Sequence, residues 1–258
     1  MSNITSPSPE AVRARAVLLG RSRWGVAEII FWVLAFACYW LFPTKLSLLS
    51  EIAILGLVAL SVDLVLGYAG IVTLGQGAFF GIGAYAAGLA AKHGMGTSLW
   101  SDPVIGLFIG GGVAALIGFA TSFLVLRGSD MTRLMVTLGV ALIVDEVVNQ
   151  MKWLTGGSDG LQGVLPSAVL GIWEFDLFGR VAFVYSLVVL FVLFVIARAL
   201  VKSPFGLSLQ AIKGNMLRTR AIGMPVNARL VAVYTVAAFY AGVAGALAAQ
   251  TTQFASPD

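Results

Sequence analysis

Long apolar segments alternate with short polar or basic ones along most of this chain. Each apolar segment approaches the roughly 20 residues that an α-helix needs to cross a bilayer. The pattern predicts an all-α, polytopic bundle of about seven transmembrane helices. The predicted spans are residues 24–42, 46–66, 71–91, 103–126, 134–150, 181–200 and 228–249.

The second and third predicted spans are separated only by Gly-Tyr-Ala-Gly at 67–70, which is too short for an ordinary loop. We therefore expect one or both of these helices to be broken or tilted. The stretch 67–88 contains seven glycines, including Gly77 and Gly81 in a G-x-x-x-G pattern. Such a pattern predicts close helix packing. A second interpretation is that the glycines and Gln76 line a water-filled path.

Composition supports a membrane protein. Hydrophobic residues make up 59% of the 258 positions and charged residues 11%, whereas a soluble domain carries roughly 25% charge. The net charge of +4 comes from basic residues beside the apolar spans, so it indicates contact with membrane lipid and not with nucleic acid. The lone Cys38 excludes an intrachain disulfide, and no metal site is predicted.

The distribution of Lys and Arg predicts the orientation. If the N-terminus is cytoplasmic, twelve of the 16 basic residues lie inside, and only Lys45, Lys92, Lys152 and Arg180 lie outside. The positive-inside rule therefore favours a cytoplasmic N-terminus. We expect two parts in the chain: a disordered basic tail at 1–23 and a transmembrane domain at 24–258.

A basic island at 203–223 separates two apolar segments. Ser203 can cap a helix, and Pro204 suits its first position. The island therefore predicts a short helix across the cytoplasmic mouth, with one apolar face free to enter a partner's groove. The alternative is a solvated loop that only sets topology. The predicted apolar stripe consists of Leu207, Ala211, Ile212 and Met216.

Two further clusters are candidates for chemistry. Asp145, Glu146 and Asn149 lie in one predicted span, and intramembrane carboxylates usually face a cavity or a partner. They could equally be hydrated near the outer boundary. Gly-Gly-Ser-Asp-Gly at 156–160 matches G-x-S-x-G, but a tight glycine turn is the favoured interpretation over a hydrolase. No P-loop motif occurs in the sequence, and no catalytic residue is predicted.

Three stretches together resemble one family. They are LVLGYAGIVTLGQGAFFGIGAY, LTGGSDGLQGV and SPFG…AI…RAIGMPVNARLVA…FYAGVAGAL. They are similar, in the family's order, to the LivM-like membrane permeases of branched-chain amino-acid ABC importers. The resemblance implies a bacterial inner-membrane subunit without its own ATPase. It also implies a second homologous permease, two cytoplasmic ATPases that bind ATP and Mg, and a periplasmic substrate-binding protein.

By this resemblance the basic island becomes a coupling helix that meets an ATPase. Its implied coupling residues are Ser203, Pro204, Phe205, Gly206, Leu209, Ala211, Ile212, Arg218 and Gly223, with Leu209 and Ile212 as the buried contact. The candidate translocation path is Thr73, Gln76, Phe79, Phe80, Asp145, Glu146 and Asn149. The candidate docking element for a binding protein is Thr155, Gly156, Gly157, Ser158, Asp159 and Gly160.

The chain departs from the family pattern in three places. Gln76 replaces a frequent histidine, and Lys213-Gly214-Asn215-Met216 replaces acidic residues of the usual coupling loop. Family members also usually continue past 256–258, so a C-terminal truncation and a partial sequence are both open interpretations. The alternative function is a stand-alone ion-coupled transporter or channel that uses Asp145 and Glu146.

Overall fold

The computed structural model describes residues 25–93, 102–128, 130–157, 160–162 and 179–255. Contacts divide the chain into two units, residues 1–41 and 42–258, which are treated separately below. The tail predicted at 1–23 lies outside the described residues. In the first unit, helix α1 (Val26–Leu41) has 16 residues and exposes most of its large apolar side chains.

The second unit consists almost entirely of helices. Its elements, in chain order, are α2 (Leu46–Val62), a π-helix (Asp63–Tyr68), α3 (Gln76–His93), α4 (Pro103–Val125), α5 (Asp130–Gln150), α6 (Lys152–Thr155), β1 (Leu161–Gln162), α7 (Arg180–Lys202), α8 (Pro204–Gly214), α9 (Met216–Ala221), α10 (Val226–Thr252) and β2 (Phe254–Ala255). The predicted all-α membrane bundle is confirmed.

Four described helices are long and apolar enough to cross a membrane. They are Leu46–Tyr68, Pro103–Val125, Arg180–Lys202 and Val226–Thr252. The other three predicted spans coincide with α1, α3 and α5. Of these, α1 is short, and α3 starts five residues later than predicted because residues 71–75 are not helical.

Helix α10 is the centre of the second unit and packs chiefly on α3 and α4. Small residues let the three backbones touch. A Cβ on Gly83 would collide with the backbone of Gly242, and a Cβ on Gly245 would collide with the carbonyl of Phe80. Each substitution would therefore push two helices apart, which makes these glycines structural requirements of the bundle.

The prediction of close packing at Gly77 and Gly81 is wrong within the described chain. A Cβ at either position would meet no atom within 4 Å. The packed face of α3 instead carries Phe79, Gly83 and Ala87, which recur every four residues. The G-x-x-x-G pattern therefore lies on a different side of α3.

The helices of the second unit end on two opposite sides, and each side carries different short elements. At one end, Gly179 lies against Ser47, and the Gln250 side-chain amide donates a hydrogen bond to the carbonyl of Pro103 at 2.9 Å. At the same end, β1 pairs antiparallel with β2, with Leu161 opposite Ala255. The opposite end carries α8 and α9. Sequence patterns did not predict the two-residue strands.

Candidate functional site

Helix α8 begins as predicted. The Ser203 hydroxyl accepts a hydrogen bond from the Phe205 N–H at 3.2 Å, and Pro204 occupies the first turn. A Cβ on Gly206 would collide with the carbonyl of Val201, so this glycine lets α8 turn tightly against the end of α7. The predicted N-cap is thus confirmed, and the island contains two short helices where one was predicted.

The rotation of α8 differs from the prediction. Leu209 and Ile212 are only 1% and 3% exposed and belong to the core of the chain. They are therefore not available to a partner's groove, which corrects their assignment as the buried docking contact. The predicted stripe is split, because Leu207 and Ala211 are exposed while Ile212 faces the bundle. The physical reason is that the chain's own helices already cover the most apolar face of α8.

An exposed surface remains on the outer side of α8 and α9. Leu217 is 77% exposed and Ile222 is 81% exposed, and Arg218 lies between them. Gly223 ends this segment in a left-handed conformation with φ +84°, which favours glycine. We call this surface the coupling surface, after the role that the resemblance implies for the basic island, and it consists of Pro204, Leu207, Ala211, Leu217, Arg218 and Ile222.

Phe205 links α8 to the central helix. It is half-buried, and the Arg229 guanidinium lies 5.3 Å from the centre of its ring. This is a cation–π arrangement. The start of α8 is therefore held against the first turns of α10.

The other end of α8 contacts the break between α2 and α3, where the π-helix ends at Tyr68 and the chain leaves helical geometry. The Lys213 ammonium donates a hydrogen bond to the Gly67 carbonyl at 2.7 Å. Gly70, at φ +71°, turns the chain beneath the same lysine, and a Cβ there would lie 2.9 Å from Lys213 Cγ. Sequence reasoning noted Lys213 only as a departure from the family, because its partner lies 146 residues away.

Beyond the break, residues 69–75 return to the interior and lead into α3. The Ser61 hydroxyl donates to Gln76 Oε1 at 2.9 Å, and the Leu74 N–H donates to Thr137 Oγ1 at 3.2 Å. Gln76 is 4% exposed, and its Nε2 has no hydrogen-bond partner among the described residues. Non-helical backbone at membrane depth is tolerated where protein or a cavity surrounds it.

Tyr234 of α10 completes this cluster. Its ring meets Phe79 edge-on, with centroids 5.7 Å apart, and its hydroxyl lies near the side chains of Thr73 and Thr121. We call this set the break cluster, and it consists of Ser61, Thr73, Gln76, Phe79, Thr137 and Tyr234. The structure thus brings together three of the predicted path residues, Thr73, Gln76 and Phe79, while Phe80 is half-buried beside them.

The predicted acidic residues lie elsewhere. Asp145 and Glu146 are exposed on α5, and the Gln150 amide donates to Glu146 at 2.7 Å. Asn149 is half-buried. Thr137, the α5 residue in the break cluster, is eight residues from Asp145, or about 12 Å along a helix. The seven predicted path residues therefore do not form one site within the described chain.

The predicted external element is a tight glycine turn. Gly156, Gly157 and Gly160 have φ of +82°, +64° and +69°. The Thr155 hydroxyl lies 2.6 Å from the Val148 carbonyl and also accepts the Gly157 N–H at 3.3 Å, which fixes the turn to the end of α5. Ser158 and Asp159, in the same predicted element, lie outside the described residues.

Comparisons with known proteins agree with this architecture. The family model "Branched-chain amino acid transport system / permease component" matches residues 44–258. The high-affinity branched-chain amino acid transport system permease protein LivM of Escherichia coli (strain K12) is 30% identical over 225 residues, covering 78% of this chain and 51% of that relative. The protein of the same name from Salmonella typhimurium is 31% identical over 226 residues, with the same coverage.

The chain spans about half the length of these curated relatives. No solved structure matches it. The family match begins at residue 44 and so covers nearly all of the second unit, including the break, the coupling surface and the glycine turn. The chain therefore belongs to the permease-component family of branched-chain amino acid transport systems.

Proposed function

We propose that this chain is a transmembrane permease subunit of an ATP-driven importer for branched-chain or related small amino acids. The substrate would arrive from a periplasmic binding protein and leave into the cytoplasm. The chain would lie in the bacterial inner membrane with a cytoplasmic N-terminus, beside a second homologous permease. Two cytoplasmic ATPases would bind ATP and Mg, and this chain itself would bind no cofactor. Family membership and the names of the relatives support this proposal.

The observation that carries the mechanism is the bond between Lys213 and Gly67. It joins the exposed end of α8 to the π-helix that precedes the segment 69–75. Movement of α8 by a docked ATPase would displace the Gly67 carbonyl and the segment 69–75 that follows it. Because that segment contains Thr73 and ends at Gln76, the movement would rearrange the break cluster.

The break cluster also suits an amino acid's carboxylate once it opens. Gln76 offers an unpaired amide donor, and the N-terminus of α3 begins at the same residue. Helix N-termini and amide donors stabilise anionic groups, and transporters use half-helix ends in this way. None of the six residues of the break cluster is charged, which suits a substrate that is neutral overall.

The docking step can be tested at Ala211, which is exposed on the coupling surface. In Ala211→Asp we expect normal membrane insertion but loss of the ATPases, because a charge buried without a partner costs several kcal/mol. The measurement is recovery of the ATPases with the purified permease, together with ATP-driven uptake in membrane vesicles. Ala211→Ser is the matched control and should retain both.

The test uses Ala211 and not Ile212, the predicted buried contact, since Ile212 is a core residue and its substitution would damage folding. If Ala211→Asp and Leu207→Asp both retain the ATPases and ATP-driven uptake, the coupling surface is not the docking site.

The energy source separates this proposal from an ion-coupled transporter. Uptake should survive an uncoupler while ATP is maintained. Uptake that follows the ion gradient and disappears in the double variant Asp145→Asn/Glu146→Gln would instead support the alternative.

A further inference from the structure

A groove lies between α4 and α10 at the end of the bundle that carries α8 and α9. It encloses about 830 Å³. The two helices are held together by small residues as far as Gly118, which lies against Ala238. Beyond that point the groove opens between the two helices. The residues lining the groove are Phe119, Ser122, Phe123, Leu126, Arg127, Asn227, Ala228, Val231, Ala232 and Thr235.

The groove is apolar along its length and cationic at one end. Its walls include Phe119, Phe123 and Val231, whereas Arg127 lies at the mouth. A second guanidinium reaches the same mouth, because Arg220 donates to Asn227 Oδ1 at 3.1 Å. Neither arginine is paired with a carboxylate among the side chains that the structure describes, which do not include Asp130, and both arginines are exposed.

From these features we infer that the groove binds one anionic phospholipid, with an acyl chain between α4 and α10 and its phosphate between Arg127 and Arg220. Guanidinium groups bind phosphate oxygens through paired N–H donors. The stretch from Phe119 to Arg127 is about 12 Å long, enough for the upper part of an acyl chain. The charge at the mouth selects an anionic headgroup over a zwitterionic one.

The site lies where α9 and α10 meet the end of α4, so a bound lipid would affect the position of α9. Arg220 belongs to α9, next to the coupling surface, while Asn227 belongs to the first turn of α10. A phosphate held by both arginines would fasten α9 to the end of α4. The lipid would therefore stabilise one position of α9 relative to the bundle. This inference does not depend on the transported substrate or on ATP.

The test uses photoactivatable phosphatidylglycerol with the reactive group on its acyl chain. The full protein assembly is reconstituted in nanodiscs, and the labelled peptides are mapped by mass spectrometry. We expect labelling within 119–127 and 227–235. Labelling should fall by roughly fivefold for each arginine removed in Arg127→Gln and Arg220→Gln. Lys45→Gln, at the opposite end, is the matched control and should leave labelling unchanged.

A second variant tests the acyl channel itself. Ala232→Trp should fill the groove and abolish labelling, whereas Leu142→Trp on exposed α5 should not. If a phosphatidylcholine probe labels the groove equally, the lipid there is only part of the general bilayer and the inference is wrong. It is also wrong if the double arginine variant labels normally, or if cross-linking shows a partner permease filling the groove.

Discussion

At the scale of single residues, the glycines of this chain have two different roles. Gly83, Gly242 and Gly245 lie where helix backbones touch, whereas Gly77 and Gly81 face open space within the chain. The sequence shows that glycines are abundant here but not which of them lie at a contact, since that depends on the rotation of α3 against α10. A G-x-x-x-G spacing is therefore a weaker guide than the position of the packed face.

Alanine substitutions should distinguish the two roles. Gly245→Ala would force a methyl group into the Phe80 carbonyl, and overpacking of this kind costs roughly 1–3 kcal/mol. Gly81→Ala should be neutral or slightly stabilising, because alanine favours the helix by up to about 1 kcal/mol over glycine. The measurement is the thermal midpoint of the purified chain in detergent. Equal midpoints for the two variants would contradict the packing described for α3 and α10.

At the scale of elements, the sequence predicted where α8 starts but not which face it exposes. Its N-cap depends on Ser203 and Pro204, which act locally and can be read from the chain. Its rotation depends on apolar residues at positions 205, 207, 209, 211 and 212, which surround the helix on several sides. Only the packed bundle decides that Leu209 and Ile212 turn inward. The partner of Lys213 could not be predicted for the same reason, because it is the backbone carbonyl of Gly67, which is distant in sequence.

Replacing Lys213 should separate ATP hydrolysis from transport. Lys213→Met removes the hydrogen bond to Gly67 but leaves the coupling surface intact, so the ATPases should stay bound and continue to hydrolyse ATP. Uptake per ATP should fall severalfold, because movement of α8 would no longer be passed to the Gly67 carbonyl through this hydrogen bond. The measurement is the ratio of uptake to hydrolysis in proteoliposomes.

Lys213→Arg should restore part of this ratio, because its guanidinium can still donate to a carbonyl. Lys45→Met, at the opposite end of the bundle, should behave like the wild-type protein. An unchanged ratio in Lys213→Met would show that movement reaches the break cluster by another route. Absence of ATP-driven uptake in the wild-type protein would instead overturn the proposed function.

At the scale of the whole molecule, composition and apolar periodicity were sufficient to predict a helical membrane bundle. They predicted every long helix of the second unit within a few residues, because a bilayer imposes length and apolarity on each span. They did not predict that α10 lies at the centre, since α10 is no more apolar than α7. Its Gly and Ala residues, such as Gly242 and Ala246, permit burial from several sides.

The positive-inside orientation stays a prediction, and cysteine labelling can test it. In a Cys38→Ser background and in cells that lack the ATPases, Leu217→Cys should react with an impermeant reagent only after the cells are opened, whereas Lys152→Cys should react on intact cells. Both positions are exposed in the structure. Ser208, in the same basic island as Leu217, is buried and would be a poor labelling position. Labelling of Leu217→Cys on intact cells would show that the predicted orientation is the wrong way round.

The pairing of β2 with β1 has a thermodynamic consequence. Helix α10 is 27 residues long, about 40 Å, and is held at one end by Arg229 on Phe205 and at the other by the strand that follows it. If two ligands, one at the external turn and one at the coupling surface, favour different positions of this helix, their binding free energies are coupled. Linkage then requires each ligand to change the other's affinity by the same factor. Measuring the permease's affinity for the ATPases with and without a protein bound at the glycine turn would therefore also give the effect of the ATPases on the affinity for that protein.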